Sequence, residues 1–213
     1  MFKAVLWDFG GVITSSPFDA FNRYEKTRGL PKDFLRSINA TNPDNNAWAK
    51  LESSQVSIDE FDELFATESE AKGHRVMGKE VLDLLSGDIR PEMVNALAII
   101  KKSRKIGCIT NNVNTGKGPG MAKSSDKAFR IGEIMDMFDV VIESSKIGIR
   151  KPDPKIYKMT CNKMSIRPEE TIYLDDLGIN LKPARALGMT TIKVLTVNQA
   201  LSDLENLLHI VLQ

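Results

Sequence analysis

The chain opens on an apolar, β-favouring run from Phe2 to Trp7 that stops abruptly at Asp8-Phe9-Gly10-Gly11. Paired glycines directly after such a run supply the sharp turn a strand needs to leave a sheet, so the run reads as a buried first strand. From Pro17 to Arg90 the apolar spacing takes a helical period. Phe18, Phe21 and Tyr24 share a face, then Phe34, Leu35 and Ile38, then Phe61, Leu64 and Phe65. No strand is expected there. Ser57-Ile58-Asp59-Glu60 has capping-box spacing, which places a hydroxyl acceptor on the free N–H groups of an acidic helix that follows.

After Pro91, helix-like and strand-like runs alternate. A helix opens on Pro91, a residue suited to a first turn, and reaches about Ser103; Ile106 to Thr110 is the next strand. A Gly-rich loop leads to a helix around Asp126 to Met137, and Asp139 to Ile142 is a strand. A helix from Asp153-Pro154 to Met164, a strand from Thr171 to Leu174 and a helix from Leu177 to Leu187 follow. A strand from Thr190 to Leu195 and a closing helix near Leu201 to Leu212 complete the series. Parallel strands need long right-handed crossovers, so this alternation predicts an α/β fold, a doubly wound parallel sheet with a Rossmann-like core. The helical block interrupts it after the first strand. The expected division is therefore a core domain of residues 1–14 and 91–213 and a small all-helical cap domain of residues 15–90. Seven of the chain's 14 aromatic residues fall between Ser15 and Arg90, enough for a hydrophobic core of its own.

Composition narrows the partners. At 213 residues, 42% hydrophobic and 27% charged, the chain is an ordinary globular sequence rather than a disordered or fibrous one. A net charge of +1 gives no reason to expect nucleic acid or an anionic membrane. That balance hides an asymmetry: residues 15–90 carry 10 basic and 14 acidic side chains, whereas the remainder carries 19 and 14. Cys108 and Cys161 form neither a disulfide framework nor a thiolate metal spacing, and no run resembles a secretory or membrane-spanning segment. A cytoplasmic monomer or homodimer is expected.

In an open parallel sheet, ligands sit beyond the carboxyl ends of the strands. Asp8 follows the first strand, Thr110-Asn111-Asn112 the second, Lys146 to Lys151 lies beyond the third and Asp175-Asp176 follows the fourth. Three carboxylates brought together repel one another, and a hard divalent cation such as Mg²⁺ is the usual remedy. Mg²⁺ keeps open positions for an anion, which a lysine and a hydroxyl would complete. Singly, Asp8 reads as a turn residue, Lys151 as a solvated charge and Asp175-Asp176 as a helix cap; four such features on successive strand ends favour a site. The Gly-rich stretch Asn112 to Ser125 is not a phosphate loop, because Lys123-Ser124 follows Ala122 and the required glycine spacing is missing.

In their order, WDFGGV (7–12), CITNN (108–112), Lys151 within IGIRKPDPKIY (147–157) and YLDD (173–176) resemble the haloacid dehalogenase-like hydrolase superfamily. ESSKIGIRKPDPKIY and YLDDLGINLKPARALGM are similar, more specifically, to the amino-terminal phosphatase domain of soluble epoxide hydrolases and its bacterial relatives. The resemblance implies that Asp8 is a nucleophile and Mg²⁺ ligand, with Gly10 lending its carbonyl to the metal. It makes Asp176 the metal carboxylate, Asp175 its neighbour acting from behind or through a water, and Asn180 a support. Thr110, Asn111 and Lys151 would hold phosphoryl oxygens, with Thr110 and Lys151 taking part in catalysis. The expected function is a Mg²⁺-dependent phosphatase of small phosphorylated metabolites.

One position departs from the pattern. Superfamily phosphatases usually carry a second Asp two residues after the nucleophile as acid and base, and here that residue is Gly10. A phosphate-binding or regulatory protein with reduced catalysis, or a 2-haloacid dehalogenase, are the alternatives. His74 and His209 lack metal-ligand spacing and read as surface or packing residues; Trp48 and Phe18 are expected in the pocket wall or the cap core.

Overall fold

The strand-like runs become a five-stranded sheet in the computed structural model, which describes residues 1–113 and 124–212. The strands are β1 (Ala4–Trp7), β2 (Lys105–Thr110), β3 (Val140–Glu143), β4 (Thr171–Asp175) and β5 (Thr190–Lys193). All pairs are parallel, in the order β3-β2-β1-β4-β5. β1 is central and buried along its whole length, as its unbroken apolar run requires of a strand covered on both faces. Trp7 pairs with Cys108 on one side and Leu174 on the other, so the residues that follow emerge at one edge.

Alternation along β1 sends Val5 and Trp7 to one face and Ala4 and Leu6 to the other. The first face packs under α6 (Pro91–Lys101), α7 (Ser125–Met135) and α11 (Val197–Leu208), through residues such as Leu97, Ile131 and Leu204. The second packs under α9 (Pro154–Met164) and α10 (Gly178–Ala186), through Ile156, Tyr157 and Leu181. A one-turn helix α8 (Ser144–Ile147), unforeseen from the sequence, follows β3 directly.

The closing helix is displaced from its expected span. It begins at Val197 because Thr196 and Gln199 form a capping box, and ends at His209, which is left-handed at φ 55°. Residues 114–123 of the Gly-rich loop, with its rejected phosphate-loop motif, lie outside the described residues.

Between β1 and α6 run α1 (Phe18–Arg28), α2 (Phe34–Ala40), α3 (Ala47–Glu52), α4 (Ile58–Glu70) and α5 (Gly78–Leu82). Their apolar faces form a separate cluster around Phe21, Leu35, Trp48, Phe61 and Phe65, joined by Val113 from beyond β2. Ser57 and Glu60 cap α4 reciprocally, with N–H to oxygen distances of 3.2 and 2.7 Å. The carboxylate of Glu25 is buried because it accepts the backbone N–H groups of Asp33 and Leu35, both at 2.9 Å, where α2 begins. The chain enters and leaves this block side by side. Ser15 donates to Asp88 O at 2.7 Å and Arg90 to Ile13 O at 2.9 Å. His74 packs edge-on against Phe34, and both cysteines are free and buried. No helix among the described residues is long and apolar enough to cross a membrane.

Candidate active site

Asp8 leaves β1 with its N–H donated to Leu174 O at 2.8 Å, which ties the turn to β4. Its Oδ1 accepts the N–H of Phe9 at 2.7 Å and lies 2.8 Å from Lys151 Nζ. One carboxylate oxygen is thus pinned, while Oδ2 has no hydrogen bond among the described residues. The turn then passes through Gly10, at φ −68° and ψ 131°, and Gly11, at φ 78°. An ideal Cβ on Gly11 would sit 2.2 Å from Asp176 Oδ2, so this glycine is what lets the Asp176 carboxylate lie against the turn.

Asp175 is the hub. Its Oδ2 receives Lys151 Nζ at 2.8 Å, the Tyr173 hydroxyl at 2.5 Å and Asn180 Nδ2 at 3.0 Å. Its Oδ1 receives Leu177 N at 2.8 Å and Asn180 Nδ2 at 3.1 Å. A carboxylate offers about four lone-pair directions, so protein donors already fill this one. Tyr173 reaches it because residues two apart on a strand share a face. Tyr157 donates in turn to Asn180 O at 2.7 Å. Asp176 is more open and accepts from Ser16 Oγ at 3.2 Å.

Lys151 is 1% exposed, and its ammonium bridges Asp8 and Asp175. Its peptide is bracketed by Asn111, whose Oδ1 accepts Lys151 N at 2.8 Å and whose Nδ2 donates to Lys151 O at 3.0 Å. The Asn111 amide, expected on phosphoryl oxygens, is therefore occupied in holding Lys151. Thr110 closes β2 beside it, nearly buried, its hydroxyl making one long contact of 3.5 Å to Asn111 O. Asn112 ties β2 to β3 and α8 through Glu143 and Ser145, at 2.9 Å each.

Carboxylate oxygens of Asp8, Asp175 and Asp176 lie within 4.8 Å of one another. With all three ionised, one ammonium would leave two negative charges uncompensated, so the cluster favours protons or a cation. Burial pushes the Asp8 carboxyl well above the ordinary aspartate range; Lys151 opposes this, and Asp175 and Asp176 add to it. Burial, then Asp175, raises Asp176 to about 6. For Lys151 burial works against the charge, but Asp175 and Asp8 outweigh it and the ammonium is held more firmly than usual.

The site opens into a cavity of about 470 Å³. Asp8, Gly10, Asn111, Lys151 and Asp176 line one side, and Phe18, Phe21, Trp48 and Glu52 of the helical block line another. Trp48 and Phe18 thus serve wall and cluster together. Sequence reasoning missed Tyr173, although its place two residues before Asp175 marks it. It also missed Glu52, Arg150 and Ser16, for which no local signal exists.

A family profile described as haloacid dehalogenase-like hydrolase matches residues 2–188. This chain belongs to that family of enzymes. Among curated relatives of this haloacid dehalogenase-like hydrolase, mouse acyl-CoA dehydrogenase family member 10 is 32% identical over 97% of the chain and 19% of its own length. Mouse bifunctional epoxide hydrolase 2 is 30% identical over 95% of the chain and 38% of its own length. The hydrolase chain thus spans well under half of either relative. A HAD family enzyme of Bacteroides thetaiotaomicron, solved in complex with magnesium and inorganic phosphate, superposes with a TM-score of 0.58 at 19% identity. That alignment covers 90% of this chain and 93% of the other, and establishes a common fold.

Proposed function

We propose that this haloacid dehalogenase-like hydrolase is a Mg²⁺-dependent phosphatase of small phosphorylated metabolites, acting through a phosphorylated Asp8. One observation carries the reading: the buried Lys151 ammonium stands 2.8 Å from both Asp8 and Asp175, inside a cluster of three carboxyl groups that one ammonium does not balance when all are ionised. The donor set fits the metal. It is all oxygen, and Asp8, Asp176 and the Gly10 carbonyl would hold the ion, with Asp175 behind them. When bound, Mg²⁺ supplies the positive charge that lets an anionic nucleophile meet an anionic phosphate.

The rest belongs to the chain. With Oδ1 pinned by Phe9 and Lys151, Asp8 presents Oδ2 to phosphorus. Lys151 meets phosphoryl charge as it develops, and its position is set by Asp175 and Asn111. Thr110 and the backbone at Asn111 contribute donors to the phosphoryl oxygens, while Asn180 and Tyr173 keep Asp175 in place. Residues 15–90 act as the cap, whose Phe18, Phe21 and Trp48 close the cavity over the substrate. Magnesium and phosphate in the structural neighbour are consistent with this assignment.

Gly10 favours a second reading, a phosphate-binding member with reduced turnover, since it brings no carboxyl group and, among the described residues, nothing lies within 4 Å of a Cβ at that position. A panel of phosphate esters with Mg²⁺ decides between them. Hydrolysis by the wild type and none by Asp8→Asn supports the phosphatase, tight binding without hydrolysis supports the second reading, and equal turnover by both proteins eliminates Asp8 as nucleophile. Halide release from 2-haloacids would instead establish a dehalogenase.

A further inference from the structure

We infer that Glu52, carried by the helical block, is the acid–base residue of this site and does the work of the carboxylate absent at Gly10. The inference rests on the phosphatase reading above. Cleavage of a phosphate ester needs a proton on the leaving oxygen, and release of phosphate from Asp8 needs a proton taken from water. A protein group that does both must stand on the cavity wall.

Neither histidine lines that wall, and its carboxyl groups are Asp8, Asp44, Glu52 and Asp176. Asp8 is the nucleophile, Asp176 lies against the Gly11 turn, and Asp44 is exposed. Glu52 remains. It ends α3 with its side chain 18% exposed, and its Oε2 accepts Arg150 Nε at 2.7 Å and Asn111 Nδ2 at 3.3 Å. Asn111 brackets the peptide of Lys151, and the Lys151 ammonium touches Asp8. Hydrogen bonds therefore fix the carboxyl to the rim of the nucleophile's own support. Its other oxygen, Oε1, has no hydrogen bond among the described residues.

The electrostatics agree with this geometry. Burial raises the Glu52 carboxyl above the ordinary glutamate range; Arg150 and, more weakly, Lys151 and Asn111 oppose the rise without cancelling it. Arg150, in contact at 2.7 Å, and Lys151 are the charged groups that act on it.

In the first step Oδ2 of Asp8 bonds to phosphorus, the bond from phosphorus to the ester oxygen breaks, and the Glu52 proton passes to that oxygen as the alcohol leaves. In the second, the Glu52 carboxylate takes a proton from water while the water oxygen bonds to phosphorus. The bond from phosphorus to Asp8 then breaks, phosphate departs and Glu52 is protonated again.

The test compares wild type, Glu52→Gln and Asp8→Asn with Mg²⁺ on p-nitrophenyl phosphate, whose leaving group needs no proton, and on a primary alkyl phosphate. Glutamine keeps the length of the side chain and an oxygen for Arg150, and thermal unfolding of each variant monitors the fold. Glu52→Gln is expected to lose roughly 10²- to 10⁴-fold in alkyl phosphate turnover. On the aryl ester it should still release one equivalent of nitrophenolate rapidly and then stall, and its pH–rate profile should lose a limb. Adding Gly10→Asp to the Glu52→Gln variant should restore turnover. An equal loss of the first step on both esters, as a purely structural role would give, overturns the inference, and so does unchanged alkyl turnover. If the wild type lacks Mg²⁺-dependent turnover, or Asp8→Asn keeps the burst, the phosphatase reading itself fails. If Asp8→Asn is inert but Glu52→Gln shows no leaving-group effect, only the assignment of Glu52 fails.

Discussion

Two adjacent glycines should respond in opposite ways to the same methyl group. At Gly11 the backbone has φ 78°, and a Cβ would lie 2.2 Å from Asp176 Oδ2 and 2.4 Å from its Cγ. Gly11→Ala places a side chain in the left-handed region, at about 1–2 kcal/mol. It also drives the Asp176 carboxylate away from Ser16, 3.2 Å distant, and a hydrogen bond to a charged group contributes about 1.5–3 kcal/mol. The combined loss is about 2.5–5 kcal/mol, or roughly 5–20 °C in Tm for a chain of this size. At Gly10, φ is −68° and nothing lies within 4 Å of a Cβ. Gly10→Ala should therefore stay within about 1 kcal/mol of wild type, on the stabilising side, because it narrows the unfolded ensemble. Urea unfolding measures both. Calorimetric titration with Mg²⁺ should show at least about tenfold weaker binding for Gly11→Ala, the equivalent of 1.4 kcal/mol, and little change for Gly10→Ala. Equal stability and equal Mg²⁺ affinity in the two variants would refute the claim that the Gly11 turn exists to admit Asp176.

Tyr173→Phe removes the 2.5 Å donor to the buried Asp175 carboxylate and should lower unfolding free energy by about 1.5–3 kcal/mol in urea, with hardly any change in shape. Lys151→Met leaves Asp8 and Asp175 buried without their counter-charge, so it should cost about 3–5 kcal/mol at pH 8. Part of that should return at pH 5, because burial pushes the Asp8 carboxyl up and the loss of Lys151 removes what opposes the rise; parallel unfolding curves at the two pH values check it. Asp176 gives a pH window with a definite sign. Its folded pKa is raised to about 6 from 3.8, so the folded state holds the extra proton, and Mg²⁺-free stability from this group falls as pH rises from about 4 to 6. Mg²⁺ competes with that proton, so its dissociation constant should decrease between pH 5 and pH 7 and then level off.

The central strands were legible because both their faces are covered, which leaves an unbroken apolar run in β1 and an apolar centre, Ile172 to Leu174, in the fully buried β4. Capping residues made helix starts legible too: Ser57 before α4 and Asp153 before α9 stand where the sequence put them. The end of α11 was not. Ile210 and Leu212 continue the apolar pattern beyond His209, yet they pack on the core from a non-helical tail held by Leu212 N to Glu205 Oε1 at 2.7 Å. At the site, the strand-end rule brought Asp8, Lys151, Asp175 and Asp176 to one edge, because parallel strands of matched register end together. It could not tell how each side chain is occupied. The Asn111 amide brackets the Lys151 peptide, which its place after β2 does not reveal, and Asp175 reads as an open ligand until its four donor groups, making five contacts, are counted. The Arg150–Glu52 contact joins residues 98 apart in sequence, a distance no local pattern encodes.

The paired chain crossings at Ile13–Ser15 and Asp88–Arg90 give the hydrolase the layout of a tool with an exchangeable head. Because the two ends of the inserted segment are stitched to each other, its length and composition can drift without moving a single strand, and the sheet keeps Asp8 in place whatever sits above it. Substrate walls can then be revised by mutation on the insert alone. If the proton carrier rides on that same insert, an exchanged head brings its own acid–base group with it, and the frame needs none at position 10.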